Sequence, residues 1–298
     1  MDSLVASWAR TPEAGGLGLP QTLLDEALRG LARFGTLRRY EPGHLPMSTS
    51  APDAYLHVVL NGWLADQSVL KKGERHISDL GLPGEIAGLG PFVLPRGPYE
   101  IEALTPARTI ALSIFDLQNM TRRDPEAALA LRRVFDLARE RQRLRFFRRV
   151  VTLGRLPGEE KICHLLCEIM ARTRPADDAV LVAERLVDPP EGLETEVVVL
   201  PLAQRRLAEL VGLTPVHTNR VLGKLQKAHL LAIQRARIIV LDPDGIAAMA
   251  RFEPDYLAPL PFWPEKRNPT HDIFGEPFGP PEAERPAPLP KRLTVNES

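Results

Sequence analysis

The sequence predicts an α+β protein built in successive parts: an N-terminal antiparallel β jelly roll, one long helix, and a C-terminal winged helix-turn-helix. Three observations lead there. Short apolar runs alternate with turn signals from residue 36 to about 115. A stretch without glycine or proline then runs from 126 to about 152. Finally, residues 202–241 hold two tightly joined helical patterns followed by two short strand patterns.

The elements follow in order. PQTLLDEALRGLARF (20–34) places leucines at 23, 24, 28 and 31, which is helical spacing. Tyr55–Leu60 reads as a strand that ends at Asn61-Gly62, a dipeptide that predicts a hairpin into Trp63–Leu70. Lys71-Lys72-Gly73-Glu74 reads as a second turn, His76–Leu80 and Ala107–Leu112 as strands, and LPGEIAGLG (82–90) as a glycine-rich loop. Many short strands at near-regular spacing suit a small barrel or jelly roll.

Asp124-Pro125 is a helix start, with Asp as N-cap and Pro at the first helical position. Ala130, Val134, Leu137, Leu144 and Val151 form a heptad-like row along a helix about 40 Å long. One small barrel cannot cover such a stripe, so residues 124–152 are expected to pair with the same helix of a second chain. Gly154–Pro157 ends the helix, and another spans about Gly158–Arg172 with Cys163 and Cys167 on its apolar face. Residues 173–196 read as a loop or irregular hairpin, and Val197–Leu200 as a strand. The expected parts are 1–121, 122–155, 156–251 and a tail, 252–298, whose 11 prolines and few aliphatics suggest disorder, with Phe262-Trp263 as a docking point.

Composition bounds the function. No apolar run approaches the length of a membrane span. The start MDSLVASWARTPEAG lacks a signal-peptide core, and two cysteines exclude a disulfide framework; together these point to the cytoplasm. The 38 basic and 38 acidic residues cancel, but unevenly: 122–155 carries a surplus of seven positive charges and 196–251 of four. Such asymmetry suggests a polyanion-facing surface.

The functional constellation lies in 202–241. Leu207, Leu210 and Val211 make the inner face of a first helix, Gly212 supplies a turn at positive φ, Thr214 caps a second helix and Pro215 opens it. Val221, Leu222, Leu225 and Thr218 turn inward. Pro215, Val216, His217, Asn219 and Arg220 stand at the helix start, where a helix-turn-helix reads base edges: Arg fits guanine O6/N7 and Asn fits adenine N6/N7. Thr214, Lys224, Lys227 and the wing residues Arg235 and Arg237 suit phosphates.

LAELVGLTPVHTNRVLGKLQKAHLL (207–231), with the order of parts around it, resembles the Crp/Fnr superfamily of bacterial transcription regulators over about residues 20–250. The resemblance implies a cyclic-nucleotide-binding-domain-like jelly roll, a dimerisation helix, and a winged helix that binds a pseudo-palindromic operator in double-stranded DNA, with RNA polymerase as a further partner. Arg220 matches the terminal Arg of the family's Glu-x-x-Ser-Arg pattern, Asn219 stands where Ser is usual, and Val216 replaces the acidic residue, so the sequence read should differ.

The family's phosphate cassette pairs Gly-Glu with an Arg-Ser about ten residues on. Gly84-Glu85 is present, but the second half reads Arg96-Gly97-Pro98-Tyr99. Gly84, Glu85 and Arg96 are the candidate effector-pocket residues, but without the Arg-Ser anchor the input is expected not to be cyclic AMP, and Glu85 is then expected to be solvated or locally paired. No cofactor, catalytic set or metal site is expected: the N-terminal part has no cysteine for an iron–sulfur cluster, and His44, His57 and His76 match no ligand spacing. The alternatives are a metal-dependent cupin-like enzyme on the same scaffold, or a partner-binding protein that has kept the fold.

Overall fold

The N-terminal strands divide between two antiparallel sheets. β1 (Thr36–Tyr40), β2 (Tyr55–Asn61), β5 (Ile86–Ala87) and β7 (Ala107–Ser113) lie in the order β1-β7-β2-β5, and β3 (Leu64–Val69), β4 (Arg75–Gly81) and β6 (Tyr99–Ala103) in the order β4-β3-β6. The computed structural model describes residues 20–48, 55–69, 73–89, 99–173 and 198–257. All of these fall in one unit, Met1–Pro261. Leu70, Lys71, Lys72, Arg96, most of the loop expected over 173–196, Val197, and the tail from 258, with Phe262 and Trp263, lie outside the described residues.

The period of two along each strand distributes apolar side chains among separate cores. Val59, Ala87 and Ala107 of the first sheet meet Leu64, Ile101 and Ala103 of the second between the sheets. On the other face of the first sheet, Leu56, Val58, Ile110 and Leu112 are covered by α1 (Gln21–Phe34), α2 (Ile114–Arg123) and the first half of α3 (Pro125–Arg155). Helix α2 is absent from the sequence reading. Its N-cap, Ser113, forms a capping box with Asp116, and Met120 is its buried anchor.

The Asn61-Gly62 turn is present, but it does not make the expected hairpin. β2 pairs with β7 and β5, whereas β3 pairs with β4 and β6, so the turn carries the chain from one sheet to the other. Gly62 has φ 76°, and a Cβ there would overlap the Pro106 carbonyl oxygen. The β3–β4 hairpin does form, with Val69 opposite Arg75 and Gly73 at φ 77°.

Helix α3 begins as expected, at the Asp124 cap with Pro125 at its first position, and runs on through Gly154 to Arg155. Its heptad row serves two surfaces. Ala127, Ala130, Leu131 and Val134 are consumed by the core under α1, so Ala130 and Val134 are not offered to a second chain. Beyond Leu137 the inward face becomes polar, with Arg141, Gln142, Arg145 and Arg149 buried, while Phe147 (62% exposed) and Val150 (71%) face outward. The surplus positive charge of 122–155 is therefore partly internal, since Arg141, Arg145 and Arg149 are turned away from solvent.

α4 (Gly158–Thr173), β8 (Val198–Leu200), α5 (Gln204–Val211), α6 (Pro215–Lys227), β9 (Leu231–Gln234), β10 (Arg237–Val240) and α7 (Pro243–Ala250) build the C-terminal part, with strand order β8-β10-β9. Cys163 and Cys167 are buried in its core and unbridged, and burial pushes both thiols up to about 12. The tail is ordered further than the sequence suggests. A 3₁₀ turn at Pro254–Leu257 packs on α3 and α4, where Phe252 and Tyr256 lie against the His164 ring.

Gly62→Ala should lower stability by roughly 2 kcal/mol or more, since strain at positive φ adds to the clash with backbone. Urea unfolding measures this, and an unchanged midpoint would show that the crossover tolerates a side chain.

Candidate nucleic-acid interface

Every step of the turn between α5 and α6 has a local cause. Gly212 ends α5 in the left-handed conformation, φ 62° and ψ 33°, and the Leu213 N–H donates back to the Ala208 carbonyl at 3.2 Å. The Thr214 hydroxyl accepts from the His217 N–H at 3.2 Å, and Pro215 occupies the first helical position. Leu207, Leu210 and Val211 of α5 and Val221, Leu222 and Leu225 of α6 are buried in one core, and Thr218 is fully buried beside them.

That packing leaves Thr214, Pro215, Val216, Asn219 and Arg220 exposed on the opening turns of α6, with Val216 81% accessible. His217 departs from this row. It is half-buried, and its Nε2 lies so near Gly158 that a Cβ there would stand 2.8 Å away. The start of α4 thus supports α6 from behind. Lys227 is exposed, whereas the Lys224 ammonium is held by the Glu159 carboxylate at 2.5 Å. Sequence reasoning missed Glu159 because the pairing spans 65 residues.

Beside α6, β9 and β10 form the wing, pairing Gln234 with Arg237 across a two-residue turn. Arg235 (φ 48°) and Ala236 (φ 63°) both adopt positive φ, as such hairpins require, without glycine. Both wing arginines, Arg235 and Arg237, are exposed. An exposed helix N-terminus with amide and guanidinium side chains, flanked by a basic wing, can hydrogen-bond base edges and phosphates.

The residues nominated for an effector lie elsewhere. Gly84 has φ 93° in the loop before β5, and Glu85 is buried and paired. The Arg172 guanidinium, from the last turn of α4, donates to both Glu85 oxygens, Nε to Oε1 at 2.9 Å and Nη2 to Oε2 at 2.6 Å. Arg172 also meets Asp79 at 3.4 Å and Glu168 at 3.1 Å. Arg145 pairs with Asp79 at 2.9 Å, and Arg149 with Glu168 at 3.1 Å. Burial alone would raise the Asp79 and Glu168 carboxyls, but the arginines outweigh it and hold both below the usual carboxylate range. Asp66, opposite Asp79 on β3, accepts from the Gly88 N–H at 3.3 Å but has no such ion pair among the described residues. Burial, with the Asp79 charge, raises it to about 7.

The histidines considered as ligands sit apart with partners of their own. His44 accepts from the Glu41 N–H at 3.3 Å, His57 shares a hydrogen bond with Thr109 at 3.1 Å inside the sandwich, and His76 is on β4. Burial, then the nearby Arg38 charge, lowers His57 to about 4 and keeps it neutral. Among the described residues no group of three or more His, Cys, Asp or Glu is arranged to hold a metal ion. Nor is any helix among them long and apolar enough to cross a membrane.

Fold and site together define a DNA-binding regulator: a strand sandwich, a long connecting helix, and a winged helix-turn-helix whose reading turn is open. Known proteins agree. The family model described as the Crp-like helix-turn-helix domain matches residues 160–249. The chain is 26% identical to the nitrogen fixation regulation protein FixK of Bradyrhizobium diazoefficiens over 229 residues, covering 76% of this chain and 87% of that protein. It is 22% identical to the transcriptional activator protein Anr of Pseudomonas protegens, over 65% of this chain and 72% of that one. Its fold matches the structure of FixK2 from Bradyrhizobium japonicum with a TM-score of 0.55 at 19% identity, covering 72% and 96% of the two chains. Residues 160–249 thus match a Crp-like helix-turn-helix domain, and the chain is a DNA-binding transcription regulator that resembles those of the Crp/Fnr superfamily.

Asp66 generates a pH prediction. Its carboxyl ionises near pH 7 in the folded chain, against 3.8 ordinarily, so the stability that it contributes when neutral is lost as pH rises from 3.8 through 7. Asp66→Asn removes that loss. The stability of the variant relative to the parent should rise by up to about 1 kcal/mol per pH unit across that interval. Urea unfolding at a series of pH values tests this, and a constant difference would place Asp66 in water.

Proposed function

We propose that two copies of the chain pair along α3 and read a pseudo-palindromic operator in double-stranded DNA, one half-site to each α6. The observation that carries this reading is the open first two turns of α6, where Val216, Asn219 and Arg220 are exposed while the opposite face of the helix is buried. Arg220 and Asn219 are the proposed base readers, and Pro215 and Val216 offer apolar contact to thymine methyls. His217 remains with them by position, but its ring is directed to Gly158, which suits holding the helix rather than reading. Thr214, Lys227, Arg235 and Arg237 are the proposed phosphate contacts, with Lys224 available once it leaves Glu159.

The second half of α3 supports the pairing. Phe147 and Val151 are exposed there, on the same side as half-buried Leu137 and Leu144, with exposed Val150 at its edge, so the seam is proposed over the C-terminal part of 124–152. Two α6 helices about one turn of DNA apart, ~34 Å, would follow. In this reading 1–121 receives an input that is not cyclic AMP, 122–155 joins the dimer, and 156–251 binds DNA in the cytoplasm, with RNA polymerase as a further partner. Regulation rather than enzymatic turnover is the proposed role.

Selection from a random duplex library should enrich a two-fold symmetric site, and recovery of no motif would refute the reading. Arg220→Ala should cost about 1–3 kcal/mol at its own base position and relax preference there. Lys227→Ala should weaken all sequences alike and reduce the salt slope by about 1 per chain. Separately, Phe147→Glu should shift the chain toward monomer in sedimentation, and an unchanged dimer would move the seam off this face.

A further inference from the structure

The contact between the two halves of the chain is built as a socket. Glu85 lies on a loop of the N-terminal sandwich, Arg172 on the last turn of α4, 87 residues on, and their fork is bidentate. The third face of the guanidinium is used as well: Nη1 reaches Glu168 at 3.1 Å, and Nη2 also donates to the Leu80 carbonyl at 2.5 Å. The Arg172 side chain is 1% exposed. Such a planar, fully enclosed arrangement fits a guanidinium and not an ammonium, which cannot fork.

The surroundings make this the point that sets the pose of the DNA-binding part. Arg145 and Arg149 of α3 tie the same carboxylates to the connecting helix, and Arg149 also donates to the Ser78 carbonyl at 2.6 Å. A second, lesser link joins Arg206 of α5 to Glu102 of β6. Around both, Trp63, Ile77 and Leu80 of the sandwich share one core with Ile162, Leu166 and Leu207 of the C-terminal part. The face of α6 that carries Val216, Asn219 and Arg220 stays exposed in this pose.

We propose that Arg172 is an internal ligand of the sandwich: its guanidinium fills the seat at Glu85 and holds the winged helix where it can engage DNA, so that operator binding needs no small molecule at that seat. Arg172 is thus a positioning residue for DNA binding. The proposal rests on the DNA-binding reading above and adds to it what occupies the input site.

The test uses the full chain and the duplex recovered by selection, with the fraction of active protein titrated in each case. The parent should bind without any added ligand. Arg172→Lys, which keeps the charge but loses the fork, should weaken binding by about tenfold, with base preference and salt slope unchanged. Glu85→Gln should give a loss of the same kind. Arg172→Ala opens a guanidinium-sized cavity, and about 10 mM guanidinium chloride should restore its binding while tetramethylammonium chloride at equal strength does not. A merely structural arginine would lower the melting temperature without this selective rescue. If the folded Arg172→Lys and Glu85→Gln variants bind as the parent does, the proposal alone is overturned, as it is if guanidinium leaves the Arg172→Ala variant unchanged. A parent that selects no duplex overturns the DNA-binding reading and the proposal with it.

Discussion

The structure depends on a buried cluster of three arginines and three carboxylates, Arg145, Arg149 and Arg172 against Asp79, Glu85 and Glu168. Each of these charges would cost several kcal/mol to bury alone. They are tolerated because every one faces opposite charge and the count balances. Burial, then the charge of Asp79 opposite, holds a fourth carboxylate, Asp66, neutral into the range near pH 7, where no cation among the described residues is left to pair with it closely. Breaking one member would strand its partner in a low-dielectric interior, so the cluster is held together by the cost of disassembly more than by the worth of any pair. It draws on β4, the loop before β5, α3 and α4, which ties three parts of the chain to one point.

That arrangement decides how α3 is used. A helix of 31 residues spans about 46 Å, more than one sandwich can cover. Its first half spends its apolar residues under α1 and the first sheet. Its second half turns arginines inward to the cluster and so leaves its apolar residues, Phe147, Val150 and Val151, outside. The inversion is a consequence of the charges: a helix face cannot serve both the cluster and an apolar partner, so the apolar side is displaced to the opposite surface. The proposed dimer seam and the internal cluster are two faces of one choice.

What could be read from the sequence follows the range of the cause. The cap at Thr214, the turn at Gly212, the inward Val221, Leu222 and Leu225, and the start of α3 at Asp124 are all fixed by neighbours within a few residues, and each is found where the pattern puts it. Asn61-Gly62 announces a turn equally well, but the identity of the paired strand is decided by sheet closure far along the chain, and a crossover stands where a hairpin is expected. Helix α2 is short and largely exposed, with only Met120 buried, so its apolar periodicity is faint. The arginines of α3 carry no mark that distinguishes a buried guanidinium from a solvated one, because Asp79 stands 66 residues before Arg145 and Ser78 stands 71 before Arg149.

The same limit shapes the reading helix. Residues whose role is local, Thr214 and Pro215, were legible, while His217 and Lys224 were not, since α4 supplies Gly158 and Glu159 against them. Their engagement changes the chemistry left over for DNA. A helix start that could have offered one more hydrogen-bonding group presents instead a short exposed row of Pro215, Val216, Asn219 and Arg220, while Lys224, in the last turn, is tied to Glu159. Val216 is the telling member, because a valine 81% accessible to water gains nothing from packing within the chain. An acidic side chain at that position would accept hydrogen bonds from cytosine, whereas valine can only meet a methyl group or exclude water. In the proposed complex the operator is therefore distinguished by what Arg220 and Asn219 hydrogen-bond and by what apolar edge Val216 covers, not by an acidic contact.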